Sequence, residues 1–237
     1  MVAASAQSRR LRLGVLISGR GSNMKAILDA TADPTFPAEV VCVISNNPQA
    51  GGLRLAADAG IDPLVIDHRD FPSRQAFEEA LHAALVDADV ELVCLAGFMR
   101  LLDAEFVNRW RDKIVNIHPS LLPAYRGLRT HERVIADGVR FTGATVHFVR
   151  PEMDAGPIIV QAVVPVASDD TPDTLARRVL VFEHRIYVTA VRMIAEGRVR
   201  VVGERVVIDG TAPPQGGLIN PLLPADREDG RQQEKEG

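Results

Sequence analysis

The sequence has little of what marks secreted, membrane-spanning or broadly nucleic-acid-binding proteins. Its two cysteines, Cys42 and Cys94, each lie in an apolar, strand-like run, so we expect buried, inert thiols rather than a disulfide or a metal-ligand pair. No apolar run approaches the roughly 20 residues of a transmembrane helix, and the apolar stretch after the N-terminal arginines is too short for a secretion signal. A net charge of −4 does not favour broad binding to nucleic acid or anionic membranes. We expect a cytoplasmic protein.

The histidines also lack the spacing of a metal site. There are six of them, and they form no cluster with the cysteines, so no metal is predicted. The pair His131 and Glu132 is not a zinc protease signature, because Ile135 stands where a second histidine would be required. His147 lies in a strand-like run and fits either the core or a position beside a functional group.

Strand-like and helix-like stretches alternate along the first half of the chain. Runs at 11–18, 39–45, 63–66, 90–96 and 113–117 predict strands, and stretches at 24–31, 52–59, 73–87 and 103–110 predict helices. Repeated β-α units of this length indicate an α/β fold with a doubly wound, mostly parallel, Rossmann-like sheet.

The second half adds different elements. It predicts strands at 141–149 and 158–166, a helix at 130–137, a long helix at 174–196 and a C-terminal β-hairpin at 199–208. We expect a single domain at 11–215, with disordered tails at 1–10 and, for the most part, 216–237.

A glycine turn at 19–23 follows the first strand and precedes the first helix. This arrangement directs backbone N–H groups and a helix N-terminus toward a phosphate. Met24 occupies the position of the third glycine in a dinucleotide fingerprint, and the Lys-Ser/Thr pair of a P-loop is absent. The turn therefore favours a phosphate but not NAD or ATP; an ordinary tight connection with a Ser or Asn helix cap is the alternative.

Three polar residues form a candidate catalytic group. Asn116 and His118 alternate along one face of the fifth predicted strand, and Pro119 keeps His118 in extended backbone. Asp154 lies in a turn-rich loop between two later strands, where it could face His118. A carboxylate beside an imidazole favours the charged ring. An amide, an imidazole and a carboxylate together suit acyl transfer to an amine, although a strand end with satisfied polar groups would read the same way.

Five segments in the same order resemble the phosphoribosylglycinamide formyltransferase family, which is folate-dependent. They are L-I-S-G-R-G-S-N-M at 16–24, L-A-G-F-M-R-L-L at 95–102, V-N-I-H-P-S-L-L-P at 115–123, T-V-H-F-V at 145–149 and M-D-A-G-P-I-I-V-Q at 153–161. The H-P-S-L-L-P block is specific to enzymes that use formyl-folates, and the G-S-N turn narrows the resemblance to the glycinamide ribonucleotide branch.

The resemblance implies the formyltransferase fold and the transfer of formyl from 10-formyltetrahydrofolate, a co-substrate, to the amine of glycinamide ribonucleotide in purine biosynthesis. Asn116 and protonated His118 would stabilise a tetrahedral intermediate, with Asp154 assisting. The resemblance places the ribonucleotide at Gly21, Ser22, Asn23 and Glu183. It places the folate at Arg74, Met99, Arg100, Leu101, Leu102, Asn116, Arg150, Met153 and Asp154. Arg20 departs from the family turn and could add positive charge to it.

Four alternatives to this function are disfavoured. A formyltetrahydrofolate hydrolase usually carries an N-terminal regulatory domain, and methionyl-tRNA formyltransferase carries a C-terminal RNA-binding domain; we expect neither domain in this sequence. A nucleotide-binding regulator would explain the glycine turn but not the polar trio. A dehydrogenase would require an acidic residue after the second strand to bind the ribose of NAD, but Ser45-Asn46-Asn47 occupies that place. The partners expected are small molecules, and the oligomeric state stays open, a homodimer included.

Overall fold

The computed structural model describes residues 9–221, which build a seven-stranded sheet covered by helices and followed by a separate two-stranded hairpin. In the sheet, the first five strands along the chain run parallel to one another, and the sixth strand pairs antiparallel with both the fifth and the seventh. The strands are β1 (Leu11–Ile17), β2 (Ala38–Ser45), β3 (Leu64–Val65), β4 (Leu92–Leu95), β5 (Ile114–His118), β6 (Phe141–Phe148) and β7 (Ile158–Pro165). The predicted doubly wound, mostly parallel fold is confirmed.

The helices follow the predicted alternation. They are α1 (Ser22–Thr31), α2 (Gly52–Asp58), α3 (Arg74–Asp87), α4 (Ala104–Arg109), α5 (Thr130–Ala136) and α6 (Pro172–Ala195). The C-terminal hairpin is β8 (Val199–Val202) with β9 (Arg205–Ile208). No helix among residues 9–221 is long and apolar enough to cross a membrane.

The strand order explains where a site can form. The sheet runs β3-β2-β1-β4-β5-β6-β7, so the chain winds outward from β1 in one direction and then resumes at β4 on the other side of β1. The carboxyl ends of β1 and β4 therefore border a crevice, because their connections leave on opposite faces of the sheet. β5 continues this edge, which places its last residue, His118, beside the crevice.

Several boundaries differ from the sequence prediction by one or two residues, and two of these differences have clear reasons. Only Leu64 and Val65 of the predicted third strand pair, because β3 is an edge strand that meets just the end of β2. The long helix begins earlier than predicted, at Pro172, since Thr171 caps it with a reciprocal capping box and proline suits the first helical turn. The segments 1–8 and 222–237, where disordered tails are predicted, lie outside the described residues.

Apolar layers on the two faces of the sheet fix these elements. One layer joins strands to α1 and α6, through residues such as Ile27 and Val191, and the other joins them to α3 and α4, through Leu81 and Phe106. Tyr187 of α6 is fully buried in the first layer. Its Oη lies 3.0 Å from the Leu95 carbonyl oxygen and 3.2 Å from that of Val115. The hydroxyl thus ties α6 to β4 and β5.

Replacing Tyr187 with phenylalanine tests this tie. Tyr187→Phe should lower the free energy of unfolding by about 1–2 kcal/mol, because the buried carbonyls lose a donor while the ring is kept. Urea unfolding followed by circular dichroism measures the change. An unaltered midpoint with an unaltered slope would show that the hydroxyl contributes nothing to holding α6 on the sheet.

Candidate active site

His118 is held between two oxygen acceptors at the end of β5. Its Nε2 lies 2.9 Å from the Tyr125 carbonyl oxygen, and its Nδ1 lies 3.4 Å from Oδ2 of Asp154. The ring is buried, and the Asp154 side chain is nearly so. An acceptor facing each ring nitrogen suits a ring that carries both protons, since the neutral ring would direct a lone pair at one of them.

Asp154 reaches His118 from a strained position. Its φ is 52°, a left-handed conformation that costs energy for a residue with a Cβ and that aspartate tolerates better than most. The same carboxylate oxygen that faces His118 accepts a hydrogen bond of 2.8 Å from the backbone N–H of Gly127. The loop after β6 and the loop after β5 therefore meet at this carboxylate.

His147 orients the Asn116 amide. From the sequence, His147 fits either the core or a position beside a functional group. The Asn116 amide nitrogen lies 3.3 Å from His147 Nε2, and His147 Nδ1 lies 2.9 Å from the Phe148 carbonyl oxygen. Burial lowers the pKa of His147, so the ring is neutral, donates from Nδ1 and accepts at Nε2. The 3.9 Å separation from Asp154 is too long for a hydrogen bond. His147 thus fixes the amide and leaves its second N–H for a ligand.

These groups line a cavity of about 530 Å³, here called the His118 cavity. A volume of this size is typical of small-molecule sites. The sequence-predicted folate residues in its wall are Met99, Arg100, Leu101, Leu102, Asn116, Arg150, Met153 and Asp154. Met99 and Leu101 are large apolar side chains left well exposed, which suits a flat apolar ligand.

The guanidinium groups of two predicted folate residues are paired with carboxylates of the protein. Arg74 is not in the cavity wall: its Nε donates to Glu78 at 2.8 Å, and its other contact is the Leu101 carbonyl. Arg150 is in the wall, but its guanidinium is paired with Asp112 and Glu204. Any contact of Arg150 with a ligand is therefore left to its backbone and side-chain stem.

A second cavity, of about 820 Å³, adjoins the first and is called the Gly21 cavity. Its wall contains all four residues predicted for the ribonucleotide, Gly21, Ser22, Asn23 and Glu183. The two cavities share Gly97, Met99, Ile117 and Pro119, so they adjoin beside the end of β5. Ligands in the two cavities would meet next to His118.

The glycine turn is built for close approach. Gly21 has a φ of 75°, and a Cβ there would come 2.8 Å from the Cα of Gly52. Only glycine fits this conformation and this contact, which let the turn fold tightly onto α2. The turn leads directly into α1, whose first N–H groups have no helical acceptors of their own.

Glu183 and Asn23 form a buried, hydrogen-bonded pair in the wall of the Gly21 cavity. The Asn23 amide nitrogen donates to Glu183 Oε2 at 2.7 Å, while Asn23 Oδ1 is buried with no partner among the described residues. Burial raises the pKa of Glu183, and the Asn23 hydrogen bond opposes the rise. An unpaired amide oxygen beside a carboxylate calls for a ligand that brings N–H donors.

Sequence reasoning missed Arg177 and His131, which also line the Gly21 cavity. Neither belongs to a recognisable motif. On α6, Asp173, Arg177, Leu180 and Glu183 follow one another at steps of three or four residues and line the cavity together. That helical spacing was the available signal once Glu183 had been chosen. Among residues 9–221, neither Arg20 nor Arg177 has a carboxylate within ion-pair distance.

The known proteins to which this chain is similar are formyl transferases. The profile of the formyl transferase family matches residues 11–191. Phosphoribosylglycinamide formyltransferase of Escherichia coli strain K12 is 41% identical over 207 residues, which are 87% of this chain and 98% of that protein. The crystal structure of glycinamide ribonucleotide transformylase 1 from Symbiobacterium toebii is similar with a TM-score of 0.83 and 48% identity, covering 85% of this chain and 95% of that one.

Other relatives are far longer than this chain. The trifunctional purine biosynthetic protein adenosine-3 of Gallus gallus is 49% identical over 195 residues, which are 82% of this chain but 19% of that protein. This chain thus spans about a fifth of the length of that relative.

The buried carboxyl of Glu183 predicts a specific pH dependence of stability. Its raised pKa in the folded state means that ionisation favours unfolding, so the free energy of unfolding falls as the pH rises above the unfolded-state value of about 4.3. Glu183→Gln stays neutral and keeps an acceptor for Asn23, so this decline should disappear. Urea titrations across the range from acidic to neutral pH measure it. Parallel curves for the two proteins would contradict the assignment.

Proposed function

The chain belongs to the formyl transferase family, and on that premise we propose that it transfers formyl from 10-formyltetrahydrofolate to the amine of N1-(5-phospho-D-ribosyl)glycinamide in de novo purine biosynthesis. The observation that carries the proposal is the pair of adjoining cavities that share a wall beside His118. A transferase must bring donor and acceptor together at one reacting centre, whereas a simple binding site needs one cavity.

The His118 cavity supports the formyl donor. Its wall combines apolar side chains with the polar group of Asn116, His118 and Asp154 at one end. A flat heterocycle would lie along the apolar wall and present its formyl group to the polar end. The residues of this wall named from the sequence are retained as folate contacts, whereas Arg74, which is outside the wall, would act through the Leu101 carbonyl that it contacts.

The Gly21 cavity supports a phosphorylated amine. The turn before α1 offers backbone N–H groups, and Arg20 and Arg177 add positive charge to the wall. Glu183 and the unpaired oxygen of Asn23 offer acceptors for N–H groups. A phosphate at the turn and an aminoacyl amide at Glu183 would fit these groups.

The reaction follows from this placement. The glycinamide amine attacks the formyl carbon, and the carbonyl oxygen becomes an oxyanion that the Asn116 amide and the protonated His118 ring stabilise. Asp154 keeps the His118 ring charged by facing its Nδ1. As the bond from the formyl carbon to folate N10 breaks, the proton lost by the amine passes to N10, with Asp154 assisting the transfer through water.

Removing the Asp154 charge should nearly abolish turnover. Asp154→Asn and His118→Ala are expected to lower kcat by about 100- to 1000-fold, because each weakens stabilisation of the oxyanion, while circular dichroism and unfolding midpoints stay close to wild type. Steady-state kinetics with both substrates measure kcat. The matched control is Glu152→Gln, an exposed carboxylate in the same loop, which should keep kcat; near-normal turnover in Asp154→Asn would reject the mechanism.

Arg177 should act on acceptor binding rather than on chemistry. A charge-assisted hydrogen bond contributes about 1.5–3 kcal/mol, so Arg177→Gln should raise KM for glycinamide ribonucleotide by roughly 10- to 100-fold with little change in kcat or in KM for the folate. Arg185→Gln, on the same helix but outside the cavity wall, is the control. An unchanged KM for the ribonucleotide in Arg177→Gln removes this residue from the site.

A second function on the same groups would be hydrolysis of the formyl donor. The two are separated by incubating the protein with 10-formyltetrahydrofolate, with and without glycinamide ribonucleotide, and following loss of the formyl group. Transfer requires the amine, so release should depend strictly on the ribonucleotide and produce its formylated form. Equal release in its absence would make the protein a hydrolase.

A further inference from the structure

Arg150 is a buried cation shared between two acids from distant parts of the chain. Its side chain is 7% exposed; Nη2 lies 2.7 Å from Asp112 Oδ1, and Nε lies 2.8 Å from Glu204 Oε2. Asp112 precedes β5, and Glu204 is in the turn of the β8–β9 hairpin. The guanidinium therefore links the C-terminal hairpin to the strand that ends in His118.

The same residue opens the loop that carries Asp154. The loop closes where the Phe148 N–H donates to the Pro157 carbonyl oxygen at 2.9 Å. Just before this closure, a Cβ on Gly156 would come 1.7 Å from the Phe148 carbonyl oxygen and 3.3 Å from Cγ of Arg150. The Arg150 side chain therefore lies against the far end of the loop at Gly156, while its own backbone begins the loop, so we expect a shift of this side chain to disturb the loop.

The two carboxylates hold the Arg150 side chain in its buried position. A buried guanidinium that loses one of its partners is left undercompensated and tends to move toward water. The hydrogen bond from Arg150 holds the pKa of Glu204 below its usual range, so this partner is charged near neutral pH. The Glu204 side chain is 60% exposed, and an exposed carboxylate contributes little to overall stability. Its effect should therefore fall on the position of the loop rather than on the fold.

We propose that Glu204 is a positioning residue for the reaction: through Arg150, and together with Asp112, it holds the loop 150–154 so that the strained Asp154 carboxylate faces His118. The hairpin thereby becomes part of the catalytic apparatus although none of its residues lines either cavity. The proposal rests on the catalytic role of Asp154 proposed above. Because Met153 on the same loop lines the His118 cavity, loss of the contact also affects the folate side.

The test is the kinetic profile of Glu204→Gln. A displacement of about 1 Å in a catalytic group can cost up to about 100-fold in rate; here the loop keeps its Asp112 anchor, so we expect kcat to fall about 10-fold. KM for 10-formyltetrahydrofolate should rise and KM for glycinamide ribonucleotide should stay within about 2-fold. Combining Glu204→Gln with Arg150→Gln should lower kcat no further than the more damaging single change, because the two residues act as one unit.

Matched variants separate positioning from a structural role. Arg111→Gln removes the other ion pair of the same Glu204 carboxylate, and Asp209→Asn breaks an exposed pair in the same hairpin; both should keep wild-type kinetics. If Glu204→Gln does not fold, Asp112→Asn is the second test, since asparagine tolerates the φ of 57° at that position, and it should give the same split.

Wild-type kcat and folate KM in a folded Glu204→Gln or Asp112→Asn protein would overturn the inference, as would an equal loss in Arg111→Gln. Asp154→Asn serves as the reference in the same series. If that variant is inactive while the Glu204 and Asp112 variants are normal, the positioning role fails and the proposed mechanism stands. If Asp154→Asn is itself active, the mechanism fails first.

Discussion

The approach of the Asp154 carboxylate to the His118 ring is the contact on which the rest of the site depends. It joins two loops that leave the sheet at neighbouring strands, and it requires a left-handed aspartate to do so. Such a conformation persists only where surrounding contacts over-determine it. Gly127 and His118 contact the carboxylate directly, and we propose that the ion pairs of Arg150 hold the loop that carries it.

The strand order of the sheet positions the residues that make this contact. Its order reverses at β1 and β4, and the parallel strands deliver their carboxyl ends to one crevice. β6 then runs antiparallel to β5, with Asn116 opposite His147, so a polar pair forms within the ladder itself. Orientation of the amide is in this way a consequence of strand register, and Asn116 and His118 lie on a strand of the sheet while Asp154 reaches His118 from a loop.

The sequence predicted those features that are local. The strand before Pro119, the glycine turn and the hairpin at 199–208 each follow from a few neighbouring residues, and the structure contains them. The sequence also indicated that Asp154 could face His118 from a loop between two later strands, and the two side chains lie 3.4 Å apart. Their catalytic roles stay predictions.

The features that escaped are those set by packing across long sequence separations. Arg177 enters the Gly21 cavity only because α6 crosses the sheet with that face inward. Arg150 meets Glu204 across 54 residues, through a hairpin whose orientation no local pattern predicts. Boundaries moved where a neighbour was missing, as at the two-residue edge strand β3, or where a cap extended the helix, as at Thr171.

The most direct test of the proposed mechanism is a crystal structure of the protein with glycinamide ribonucleotide and a folate analogue that cannot give up its formyl group. We expect the folate along the His118 cavity, the phosphate at the turn before α1, and the amine about 3–3.5 Å from the formyl carbon, with the formyl oxygen directed at Asn116 and His118. Both ligands bound with the reacting atoms on opposite sides of the sheet, or a folate lying outside the His118 cavity, would contradict it.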